Sequence, residues 1–105
     1  MLVWNEVYDD WFGAEYDFAQ TWRQDVTAWV RRDRNHPSVI IWSIGNEVSA
    51  AAGLVAQGTA MADLVRSLDT TRPVSQGGQG QTTDASWSYV DIGDVHYAEI
   101  GRAHV

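Results

Sequence analysis

The sequence predicts an α/β domain built on a parallel sheet, and three observations carry that prediction. Short apolar, β-branched runs alternate with longer segments of helical period, the pattern of stacked βαβ units. The run Ser38-Val39-Ile40-Ile41-Trp42-Ser43-Ile44 is almost continuously apolar, as in a strand covered by helices on both faces. With 105 residues, 45% of them apolar, the chain has room for one small domain.

Residues 1–8, with Val3, Trp4 and Val7, read as a first buried strand. Asp9-Asp10-Trp11-Phe12-Gly13 reads as a loop. Across residues 15–34, Phe18, Trp22, Val26, Trp29 and Val30 recur at three- and four-residue steps and mark one face of a helix. Glu15 and Asp17 at its start and Arg31, Arg32 and Arg34 at its end suit the helix dipole. Asn35 and Pro37 close it. Residues 38–44 form the next strand. A second helix is expected over residues 50–68, weakened near its start by Gly53 and Gly58, with Leu54, Met61, Leu64, Val65 and Leu68 on its apolar face.

Asp69-Thr70-Thr71-Arg72-Pro73 turns into a strand beginning at Val74-Ser75. Gly77-Gly78-Gln79-Gly80-Gln81 is expected to be a flexible loop, since neither the following helix nor the Lys of a phosphate-cradling loop is present. A short helix is possible around residues 85–89, and residues 89–97 look like one more strand, ending in His96 and Tyr97.

Seven Lys+Arg against 14 Asp+Glu give a formal charge of −7. That balance disfavours nucleic acid, whose phosphates need cations, and an anionic membrane surface. No apolar stretch is long enough to span a bilayer, and the first residues lack the pattern of a signal peptide. Without cysteine there is no disulfide framework and no thiolate metal site. No H-E-x-x-H spacing and no G-x-S-x-G elbow occurs, so neither a metal site nor a serine nucleophile is expected. Six Trp, four Tyr and two Phe favour a carbohydrate site mildly, since aromatic rings also simply fill cores. Trp22 and Trp29 are expected to be packing, and Trp4, Trp11 and Trp42, nearer strand ends, are candidates for stacking a sugar.

The sharpest local signal is Trp42-Ser43-Ile44-Gly45-Asn46-Glu47. It places a carboxyl and an amide just past the end of a dry strand, where parallel sheets bind their ligands. Partial burial there raises a carboxyl pKa, which suits a general acid. Equally, Glu47 reads as the first residue of the next helix, where a carboxylate is favoured by the dipole. Spacing alone leaves both readings open. His36, before Pro37 at a helix–strand junction, is expected to hydrogen-bond structurally.

The 17-residue stretch Arg31-Arg32-Asp33-Arg34-Asn35-His36-Pro37-Ser38-Val39-Ile40-Ile41-Trp42-Ser43-Ile44-Gly45-Asn46-Glu47 closely resembles the signature of glycoside hydrolase family two, which holds β-galactosidases, β-glucuronidases and β-mannosidases. Asn5-Glu6-Val7-Tyr8-Asp9-Asp10-Trp11 resembles the family's third barrel strand, with Asn5 where an Asp is usual. Ser67-Leu68-Asp69-Thr70-Thr71-Arg72-Pro73-Val74 resembles the entry to strand five, and residues 90–97 strand six.

The resemblance implies a partial TIM (β/α)₈ barrel, about strands three to six with their helices, over residues 1–98; the rest of such a barrel of about 250 residues would be its structural partner. Residues 99–105 correspond to one reading frame of a common short-read sequencing adapter and are expected to be an adapter-derived tail. The implied activity is retaining hydrolysis of β-glycosides, β-galactosidase-like, by two carboxylates about 5–5.5 Å apart. By resemblance, Glu47 is the general acid/base and Asn46 hydrogen-bonds the sugar 2-hydroxyl. Glu6 shapes the pocket. His96 and Tyr97 fall beside the nucleophile, although an Asn is commoner where His96 stands. The resemblance places the nucleophile on strand seven rather than on Glu6 or Asp94, so this chain alone is expected to be inactive. No cofactor is implied, and no metal ligands are assigned. The alternatives are a non-catalytic carbohydrate-binding module and a small nucleotide binder; against the latter, Asp9-Asp10 occupies the place of a phosphate loop and would repel phosphate.

Overall fold

A computed structural model of the chain describes residues 1–8, 11, 18–46, 53–78 and 88–95. In order, the elements are β1 (Val3–Glu6), α1 (Phe18–Asp33), β2 (Val39–Ser43), α2 (Leu54–Leu68), β3 (Val74–Gly78) and β4 (Ile92–Val95). The strands form one sheet in the order β1-β2-β3-β4, and each pairing is parallel. All four C-terminal ends therefore lie along one edge.

The expected alternation is what forms, and its hydrophobic pattern explains it. On α1, Phe18, Trp22, Val26, Trp29 and Val30 are buried. Trp29 meets Trp42 of β2 edge to face, with ring centroids 4.9 Å apart. Leu54, Met61, Ala62 and Val65 of α2 join the same core, and α1 packs against α2. In β2, Val39, Ile41, Trp42 and Ser43 are buried and Ile40 is exposed.

Several expectations change: β1, an edge strand among the described residues, is not buried, α2 begins at Leu54 after a left-handed Gly53 rather than at residue 50, and β4 begins at Ile92 rather than at residue 89. Gly77 and Gly78, read as loop from their composition, belong to β3. Their backbones pair with Asp94 and Val95, and Gly77 N–H donates to Gly45 C=O at 2.8 Å, so sheet pairing outweighs the low strand propensity of glycine. Gly58, read as a weak point of the helix, is buried against Tyr89: a Cβ at position 58 would overlap the Tyr89 ring. Its lack of a side chain lets Tyr89 reach Gln76 on β3 and donate to Oε1 at 2.6 Å. Burial pushes the Tyr89 phenol up to about 12, against the opposing effect of that hydrogen bond. Of the short helix considered around residues 85–89, Ser88 and Tyr89 form a turn and the remainder lies outside the described residues.

The N-terminal edge of the sheet is closed by a polar network. The Asp69 carboxylate accepts from Trp42 Nε1 at 3.0 Å, Thr71 N–H at 2.8 Å, Thr71 Oγ1 at 2.6 Å and Arg72 Nη1 at 2.7 Å. Arg72 also donates to the carbonyls of Val39, Arg34 and His36. Arg34 Nη1 reaches the Leu68 carbonyl at 3.1 Å. Thus the Arg34-Asn35-His36-Pro37 corner and the Asp69-Thr70-Thr71-Arg72-Pro73 turn are tied together below β2. His36 acts there through its backbone: its N–H bonds the Asp33 carbonyl, and its own carbonyl accepts from Val39 and Arg72.

Candidate active site

Alternation along the strands sorts side chains onto two faces. Asn5 and Trp42 both touch Trp29 of α1, so their side chains face the helices. Their neighbours Trp4, Glu6, Ile41 and Ser43 therefore face the other way, toward what would be a barrel interior. Register carries this across the sheet: Glu6 pairs with Ser43, and Ser43 with Ser75.

At the C-terminal edge the backbone leading to Glu47 is held from both sides. Toward β1, Val7 N–H donates to Ser43 C=O at 3.1 Å and Asn46 N–H to Tyr8 C=O at 2.9 Å. Toward β3, Ile44 N–H donates to Ser75 C=O at 2.9 Å, while Gly45 C=O accepts from Gly77. Trp11, 1% exposed, adds a fifth tie by donating from Nε1 to the Ile44 carbonyl at 2.7 Å. Tyr8 is itself anchored to α1, its hydroxyl on Asp25 at 2.9 Å and its ring edge-on to Phe18. Pairing thus continues beyond the last strand residue, and half-buried Asn46 leaves the sheet in a fixed direction.

Of the residues singled out from sequence, Glu6 and Asn46 stand at this edge. Glu6 Oε1 accepts from Ser43 Oγ at 2.8 Å. Glu47, His96 and Tyr97 lie outside the described residues; Glu47 directly follows Asn46, and His96 directly follows Val95 at the end of β4. Among the aromatic candidates for a sugar platform, Trp11 and Trp42 are fully buried and engaged elsewhere, whereas Trp4 is 44% exposed on the inner face.

Asn5 explains its own departure from the usual Asp. Its Oδ1 accepts from Trp29 Nε1 at 3.0 Å and its Nδ2 donates to Asp33 Oδ2 at 2.8 Å. Hydrogen bonding to Arg32 lowers the Asp33 carboxyl to about 2; burial opposes the shift, and Asn5 reinforces it. Ser43 and Ser75, not singled out from sequence, are buried register partners beside Glu6 at this edge. Their signal was a hydroxyl at the end of an otherwise apolar strand, followed by one at the matching place on the next strand.

A cavity of about 560 Å³ sits among the described residues at the opposite edge, between Arg66, Asp69, Arg72 and Asp91. Its cations are already paired, Arg72 with Asp69 and Arg66 with Asp91, so the strand-end geometry is the better guide to chemistry. A smaller one of about 330 Å³ lies beside Glu6, between β1 and α1. Among the described residues no three His, Asp or Glu side chains gather as a metal ion would require.

Residues 5–104 match the description "Glycosyl hydrolases family 2, TIM barrel domain". The chain belongs to that family. Its four parallel strands are an arc of the family's barrel. Over 77 residues, 73% of the chain, it is 44% identical to a β-galactosidase of Enterobacter cloacae, of whose length it spans 7%. Among solved structures, it is similar to a glycosyl hydrolase family 2 member from Bacteroides cellulosilyticus, at 39% identity and a TM-score of 0.85, covering 93% of this chain and 14% of that one. It is also similar to a β-galacturonidase from Eisenbergiella tayi, at 27% identity and a TM-score of 0.78, covering 90% of this chain and 18% of that one. Family 2 relatives of this chain thus carry names for both a neutral and an acidic sugar.

Proposed function

We propose that this chain supplies the acid/base half of a retaining β-glycosidase, with Glu47 as the proton donor to the glycosidic oxygen. The observation that carries the reading is the clamped segment from Ser43 to Asn46: five hydrogen bonds fix the backbone immediately before Glu47 at the C-terminal edge of a family 2 sheet. A general acid has to be held still relative to the bond it protonates, and rigid strand ends do that better than loops.

In this reading Asn46 hydrogen-bonds the sugar 2-hydroxyl, an interaction that tightens in the transition state. Glu6 accepts from another substrate hydroxyl, and His96 and Tyr97 border the nucleophile. The second carboxylate attacks the anomeric carbon from the opposite face. Water then hydrolyses the glycosyl–enzyme, with Glu47 now acting as base, and the anomeric configuration is retained. Residues 1–98 contribute strands three to six of the barrel. The nucleophile belongs to strand seven, and the 105-residue chain alone has no turnover. The substrate is a β-glycoside, β-galactoside-like.

The test is stereochemical. A complete barrel protein carrying this chain is incubated with aryl β-galactoside, β-glucuronide and β-mannoside, and the first-formed sugar is followed by proton NMR. The reading expects cleavage of at least one, the galactoside foremost, with the β-anomer appearing first. Release of the α-anomer, or no cleavage of any of the three, would contradict it.

A further inference from the structure

The row of inward-facing side chains nearest the strand ends is polar. Glu6, Ser43 and Ser75 are register partners on β1, β2 and β3 and stand side by side. Barrel interiors are usually layered with bulky branched aliphatic residues at such places. Ser43 is 1% exposed and Ser75 0%, and a buried hydroxyl is costly without a hydrogen-bond partner. The Ser75 hydroxyl has none among the described residues. Two members of the row are buried, and the third, Glu6, is exposed at the sheet edge.

Ser43 has one proton and two acceptors in reach, Glu6 Oε1 at 2.8 Å and the Gly45 carbonyl at 3.3 Å. The shorter contact, to the carboxylate, is the stronger. A glutamate at an exposed strand end turns freely about three side-chain bonds. Ser43 turns about one and is packed in place, so its hydroxyl selects a single arrangement of its flexible neighbour.

We propose that Ser43 is a positioning residue: its hydroxyl pins one Glu6 oxygen across the β1–β2 seam and leaves the other to accept a substrate hydroxyl. This rests on the reading of Glu6 as a pocket residue. Ser43 itself touches no substrate and acts only through Glu6. Its role is separate from that of the Asn46–Glu47 pair, which lies beyond the strand end.

A double-mutant cycle on a complete barrel protein carrying this chain tests it. Ser43→Ala is expected to lower kcat/KM for the cleaved β-glycoside about 10-fold, chiefly through KM, with the melting temperature little changed. Ser43→Thr, which keeps the hydroxyl, is expected to stay within about 3-fold of wild type. In a Glu6→Ala background, Ser43→Ala is expected to change kcat/KM less than 2-fold, because the partner it orients is already gone. Additive losses in the double variant, an inert Ser43→Ala, or failure of Thr to rescue would each overturn the proposal. If Glu6→Ala alone leaves kcat/KM intact, the pocket reading of Glu6 fails, and crystal structures still judge the positioning claim. A Glu6 carboxylate displaced or disordered in Ser43→Ala supports that claim, and one unmoved overturns it.

Discussion

Asn5 Nδ2 lies 2.8 Å from Asp33 Oδ2, joining β1 to the last turn of α1 through an amide that can donate where a carboxylate could not. Asn5→Asp would set two carboxylates against each other and keep only the acceptor for Trp29. In the folded state one of the two is then forced to a higher pKa, so stability is lost at neutral pH and partly regained as the pH falls and that carboxyl takes up a proton. Urea unfolding is expected to show a loss of about 1–3 kcal/mol at pH 7 and a smaller loss at pH 5. Equal losses at both would contradict the geometry.

Asp69 concentrates four hydrogen bonds from Trp42, Thr71 and Arg72 on one buried carboxylate. Asp69→Asn removes its charge and leaves the Arg72 guanidinium, itself mostly buried, without its counter-ion. The expected cost is about 3–5 kcal/mol, read as a shift in the denaturation midpoint. A change under about 1 kcal/mol would mean that the Arg72 bonds to backbone carbonyls hold the edge alone.

Among the described residues Asp33, Asp69 and Asp91 have depressed carboxyls, and the first two contribute most to the acid limit of stability. Burial alone would raise Asp69, but hydrogen bonds from Thr71, Arg72 and Trp42 outweigh it and hold the group well below the usual carboxylate range. Asp33 is lowered to about 2 by Arg32, burial opposing and Asn5 assisting. Because both folded-state values are depressed, their stabilisation is complete above the unfolded value of pH ~3.9 and is lost as the pH falls through the folded ones. For Asp33 that window runs from pH ~4 to about 2, and for Asp69 it extends lower. Thermal melts across it should show the melting temperature falling steadily, and Asp33→Asn should flatten the upper part of the slope.

Gly58→Ala tests packing against propensity. Alanine is the better helix former by about 1 kcal/mol, yet its methyl would overlap the Tyr89 ring. A net loss of about 1–3 kcal/mol is expected. Combining it with Tyr89→Ala, which opens the space, should cost less than the sum of the two single changes. A stabilised Gly58→Ala would contradict the packing.

The fold was legible where hydrophobic period carried it. The α1 face from Phe18 to Val30 and the apolar run of β2 were read directly from spacing. The Gly77-Gly78 strand was hidden, because its warrant is backbone pairing with β2's exit and β4 rather than side-chain type. The role of Asp69 was equally hidden: a turn composition does not reveal that a distant Trp42 will donate to it. Asn46 was visible as an amide just past a dry strand, Glu6 came from the resemblance alone, and their shared edge follows from parallel topology. Ser43 was invisible as a partner of Glu6 because register, not sequence separation, brings the two together.

The central claim is that Glu47 gives its proton to the departing sugar oxygen, and the most direct measurement is the leaving-group dependence of Glu47→Gln in a complete barrel protein carrying this chain. A glutamine cannot protonate the leaving group, so the cost should grow with the leaving group's basicity. The account predicts a fall in kcat/KM of about 10²–10⁴-fold for an alkyl β-glycoside and a much smaller one for a dinitrophenyl β-glycoside, which departs without a proton. Equal losses for both, or wild-type rates on the alkyl substrate, would contradict it.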